Sequence, residues 1–134
     1  MDYDIEEVRM SYGRSLSNRK LIDRFYEIFM ASHPDIPKLF ENTDFDKQKD
    51  LLSQSINMAI LFPQKNKIAT NAIDRISKTH SKENMDINPE FYPYWLDSLI
   101  TTLSESDPEF TTDLERQWRL ILQETIDHIS KGYQ

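Results

Sequence analysis

Three histidines, six tyrosines and no cysteine are the side chains from which this 134-residue chain could build a reactive centre. One histidine stands where another residue type is due. In AIDRISKTHSKENMDI, residues 72–87, Ile73 and Ile76 set an apolar stripe at helical spacing, and the next position on that stripe is His80. An imidazole there either caps a helix end or reaches inward as a neutral ligand. His33 precedes Pro34, and His128 lies late in the last helical stretch, where a cation suits the helix dipole. Both read as structural. The three lie in separate stretches with no i, i+4 pairing, which argues against a zinc site of three or four converging ligands. Without cysteine, disulfides and thiolate-bound metals or clusters are excluded. A di-iron carboxylate bundle needs Glu-x-x-His on each of two helices, and neither EFYP nor ETIDH supplies it. Nearly every Asp and Glu reads as a solvated helix face, leaving no acid pair for a hydrolase.

The elements that must position His80 are helices. Only two glycines occur, and the six prolines fall at apparent element boundaries, a composition unlike that of short strands joined by glycine turns. IEEVRMSYGRSL forms a first helix, with Ile5, Val8 and Tyr12 on one side. NRKLIDRFYEIFMAS forms a second, striped by Leu21, Phe25, Ile28 and Phe29. Pro34 and Pro37 permit only a short helical turn. The next helix starts near NTDFDKQKDLL, with Thr43 and Asp46 as a capping box, and runs to Pro63. Lys67 to His80 makes another. NPEFYPYWLDSLITTL begins with Asn88 as N-cap and Pro89 at the first helical position. DPEFTTDLERQWRLILQETIDHI repeats that start and carries the longest stripe. About seven helical pieces and no strand give an all-α fold, read as one domain over residues 1–134.

Net charge is −7, which argues against nucleic acid and anionic membranes as partners. MDYDIEEVRM lacks the apolar run of a signal peptide, and no stretch nears the ~20 apolar residues of a membrane span. A cytoplasmic location is the expectation.

FYEIFMASHPDIPKLF, then DKQKDLL, then His80, resembles the bacterial globins, both single-domain haemoglobins and the globin domains of globin-coupled sensors. Tyr26 matches the tyrosine of the family's second-helix Phe-Tyr pair, and Phe40 follows it by fourteen positions. Gln48 matches the distal-helix residue over the iron, with Leu52 one turn on, and His80 matches the proximal histidine. The similarity continues through SYGR, FYPYWLDSLI and Trp118, covering about Tyr12 to Ile129.

The resemblance implies a globin fold around haem b, with His80 as the iron ligand and no cysteine for a covalent haem link. It implies a pocket lined by Phe40, Leu52, Ile56, Ile76, Ile87, Tyr92 and Leu96, with Ile121 behind. O₂, CO and NO are the expected gas ligands. Bound O₂ carries partial negative charge, so the Tyr26 phenol and Gln48 amide would each stabilise it by ~1–2 kcal/mol. The second nitrogen of His80 would donate to the Ile76 carbonyl or the Ser77 hydroxyl, fixing the ring. The segment from Phe40 to Gln48 is two residues shorter than in many single-domain relatives, which makes Gln54 a rival distal residue.

Relatives that detoxify nitric oxide often pair the proximal histidine with a tyrosine and a glutamate. Tyr92 matches the tyrosine, but Tyr133 stands where the glutamate would be. The expected role is therefore reversible O₂ binding, for scavenging or sensing, more than enzymatic turnover. The alternative is a nitric oxide dioxygenase served by a separate reductase. A haem-free interaction domain would not need His80. Sensor-type relatives also associate through their last two helices, and here Trp95, Leu99, Leu103, Trp118 and Leu122 suggest a homodimer through that pair, with output to a signalling partner.

Overall fold

Side chains that take up free N–H groups mark where most of the helices begin. The computed structural model describes residues 2–134. Asp4 accepts from the N–H groups of Glu6 and Glu7 and opens α1 (Ile5–Leu16). α2 (Leu21–Ala31) has no such cap and leads to a 3₁₀ turn, Pro37–Phe40. Asp44 opens α3 (Phe45–Leu61) by accepting from Asp46 and Lys47. The cap is thus Asp44 and not the expected Thr43, whose neighbour's carboxylate lies one residue closer to the first free N–H groups. Asn66 opens α4 (Lys67–His80), which ends on the histidine singled out by the sequence. Asn88 caps a 3₁₀ turn, Pro89–Phe91, that runs into α5 (Tyr92–Ser106). Thr111 opens α6 (Thr112–Lys131).

Six α-helices and three 3₁₀ turns therefore make up the chain, with no strand among the described residues. The two extra turns, Phe62–Gln64 and Pro89–Phe91, each hold a proline that the sequence pattern had merged with its neighbouring helix. α2 lies against α5, α4 lies between α3 and α6, and α1 touches α3, α5 and α6. Val8, Leu21, Phe25, Ile60, Ile73 and Ile121 meet in the shared core. Each such apolar side chain contributes ~1.5–3 kcal/mol by leaving water. No helix among the described residues is long and apolar enough to cross a membrane.

α5 and α6 turn their large apolar side chains inward. Leu99, Leu103, Trp118 and Leu122 are sealed inside this chain, and Trp95 is half-buried against Phe25. The apolar surface that suggested a homodimer is consumed by the chain's own core, because α5 and α6 must cover α1 and α2 as well as each other.

Asp107 also departs from the sequence reading. It does not start the last helix; it follows α5, and the residue is 3% exposed. Arg14 Nε and Nη2 donate to it at 2.7 and 3.0 Å, Ser11 Oγ at 2.6 Å and the Glu109 N–H at 2.9 Å. Trp118 Nε1 in turn donates to Ser11 Oγ at 3.0 Å. Burial alone would raise the Asp107 pKa, but the hydrogen bonds from Arg14, Ser11 and Glu109 outweigh it and hold it below the usual carboxylate range.

Candidate functional site

His80 ends α4 half-buried, with Nδ1 3.1 Å from the Tyr92 phenol oxygen at the start of α5. The two rings lie nearly parallel, 17° apart. In the tautomer that keeps the Nε2 lone pair free, Nδ1–H donates to Tyr92. Neither expected partner is used. The Ser77 hydroxyl crosses to the Ile129 carbonyl of α6 instead, at 3.0 Å. Ile76 lies on the same helix, where its carbonyl cannot compete with a phenol brought in from α5. Burial lowers the His80 pKa, which favours neutral imidazole, and burial pushes the Tyr92 phenol up to about 12. The pair is thus uncharged near neutral pH.

His80 Nε2 has no hydrogen-bond partner among the described residues, yet no side-chain nitrogen or oxygen there is sealed without one. The free nitrogen is therefore accessible. It is a neutral donor atom, held in orientation through its sister nitrogen, which is what a metal ligand of this type requires.

Across α2 and α3 lies an aromatic group. Tyr26 is buried, with its ring edge-on to Phe25 (5.2 Å), Phe40 (5.9 Å) and Phe45 (5.5 Å). Burial raises the Tyr26 pKa, and the Gln48 amide stands close enough to act in the opposite sense. The phenol and the half-buried amide stand side by side, and each carries a proton it can donate. Phe45 was missed as a site residue by sequence reasoning. Its signal was present, since it precedes Gln48 by three residues on α3 and so shares a face with it.

The expected lining residues fall into two sets. Phe40, Ile76, Ile87 and Tyr92 are half-buried, as are Phe91 and Trp95 beside them. Leu52, Ile56, Leu96 and Ile121 are fully buried in the core behind. Gln54 is exposed and lines a surface groove with Tyr12 and Gly13, on the side of α3 that meets α1, away from Tyr26. Gln48 is the better placed of the two amides.

The other histidines lie elsewhere. His33 accepts from the Asp35 N–H and meets the edges of Phe91 and Tyr94. His128 Nε2 is 2.6 Å from Asp74 and its ring packs on Phe62. Tyr133 bonds Asp86 in the loop after α4 and makes no hydrogen bond to the His80–Tyr92 pair.

No family model and no curated protein matches the chain. A crystal structure of a protein from Pseudomonas aeruginosa, described as structurally highly homologous to a human hemoglobin, superposes with a TM-score of 0.90. It is 30% identical to this chain, covering 96% of this chain and 97% of that one. The all-α order and identity at that level over nearly both full lengths agree: the chain belongs to the globin family.

Proposed function

We propose that residues 1–134 form one globin domain that holds haem b through His80 and reversibly binds O₂, CO or NO beside Tyr26 and Gln48. The observation that carries this reading is the His80 Nε2 atom, oriented through Tyr92 and without a hydrogen-bond partner among the described residues, together with the Tyr26 phenol and Gln48 amide side by side on α2 and α3. Bound haem iron supplies a coordination position for a diatomic gas. His80 offers a neutral nitrogen, and its bond to Tyr92 holds the ring in place. Phe40, Ile76, Ile87 and Tyr92 supply half-buried apolar surface for a flat macrocycle, backed by Leu52, Ile56 and Leu96. With haem bound, Tyr26 and Gln48 would be the donors available to the polar end of a gas ligand, among aromatic rings that exclude water.

Tyr133 turns to Asp86 and supplies no carboxylate to the His80–Tyr92 pair. Gas binding is therefore the preferred reading over nitric oxide dioxygenation with a separate reductase. Titrating the purified chain with haem tests the proposal. Saturation at one haem per chain, followed by distinct ferrous spectra under O₂ and CO, is expected. Absence of saturable binding would refute it.

A further inference from the structure

The loop that follows His80 is held from outside by the end of the chain. Tyr133 contributes twice: its O–H donates to Asp86 Oδ1 at 2.5 Å, and its carbonyl accepts from the Lys82 N–H at 2.7 Å. Asp86 needs a hold, because its φ of 51° is left-handed, a conformation that side-chain-bearing residues disfavour. The Asp86 N–H donates to the Ser81 carbonyl at 2.9 Å, and the next residue, Ile87, donates its N–H to the His80 carbonyl at 3.1 Å. One turn earlier in α4, the Ser77 hydroxyl bonds the Ile129 carbonyl, and a Cβ at Gly132 would collide with that hydroxyl. The end of α6 and Tyr133 thus grip both the last turn of α4 and its loop.

We propose that Tyr133 is a positioning residue for His80. Its phenol fixes the strained Asp86, the Asp86–Ile87 backbone fixes the His80 carbonyl, and the ring is thereby held in register with Tyr92. The functional meaning rests on the reading of His80 as haem ligand; the mechanical claim does not. With only three histidines in the chain, imidazole NMR signals of the haem-free full chain can each be assigned by single replacement.

In Tyr133→Phe, amide exchange at Asp86 and Ile87 should quicken by roughly tenfold, since one hydrogen bond is lost. The His80 ring signals should move toward those of free imidazole, while those of distant His33 stay. Asp86→Ala should reproduce both effects. Asp86→Asn keeps an acceptor oxygen, tolerates the left-handed backbone and should restore the wild-type values. Unchanged exchange in Tyr133→Phe and Asp86→Ala would overturn the clamp. Faster exchange with unmoved His80 signals would overturn the positioning role. A failed haem titration would instead count against the function, without affecting either readout.

Discussion

The Asp107 network and the His80 end are two polar regions of one helical protein, and they are built on opposite terms. Around Asp107, the donors converge on one carboxylate: Trp118 bonds Ser11, Ser11 bonds Asp107, and Arg14 closes the carboxylate with two hydrogen bonds. Around His80, one ring nitrogen is tied to Tyr92 and the other is free, and across the helices the Tyr26 phenol has the Gln48 amide beside it. A closed network pins α1 to α5 and α6 and has no capacity left for a ligand. An open set gives no such fastening and is what a ligand would complete. Polar groups in the core are thus sorted into structural and functional ones by whether their bonds are already made.

Substitution should break this contrast most strongly at Asp107. Asp107→Ala leaves Arg14 and Ser11 facing an empty acceptor, and removing one partner of such a pair costs about 3 kcal/mol. Urea denaturation of the haem-free chain measures it; a loss below 1 kcal/mol would mean that the network is slack.

Acid should find the same group. The folded pKa of Asp107 is held below its ordinary value, so its contribution is present above about pH 4, the unfolded value, and fades as pH falls through the folded one. The fall of stability with acid should be shallower in Asp107→Asn than in the wild type. It will not vanish, because Glu105 and Asp113 are also lowered, by hydrogen bonds from Arg24 and Arg116.

The same substitution at two tyrosines sharpens the comparison. Tyr12 donates to the Ser53 carbonyl at 2.8 Å, so Tyr12→Phe should cost about 1 kcal/mol and leave gas binding alone. Tyr26 has the neighbouring Gln48 amide at its phenol in place of a backbone carbonyl, so Tyr26→Phe should cost less than Tyr12→Phe, about 0.5 kcal/mol. Its effect should be on the ligand: O₂ release faster by roughly tenfold, the equivalent of ~1.4 kcal/mol, with CO much less affected. Stopped-flow release of both gases decides this. Equal effects on the two gases would show that the phenol acts sterically.

Helix stripes made most of the fold legible. α1 and α4 have the bounds that their sequence patterns predict, since Ile5, Val8 and Tyr12, or Ile73 and Ile76, can bury only on one face. Partners distant in sequence were not legible. Asp107 before Pro108 reads as a helix cap until Arg14, from the far end of the chain, claims its carboxylate. His80 could be singled out by its place on a stripe, but its link to Tyr92 depends on how the loop between α4 and α5 folds back. Periodicity likewise marks Leu99, Leu103, Trp118 and Leu122 as apolar without saying which neighbour covers them; here it is the chain itself.

The most direct test of the central claim is the ferrous absorption spectrum of His80→Ala with and without added imidazole. The Asp107 network is untouched by that change, so the variant should fold. If Nε2 of His80 is the open ligand atom, the variant should lose the wild-type ferrous spectrum and regain it when imidazole enters the vacated site. A wild-type spectrum in His80→Ala without imidazole would contradict the account.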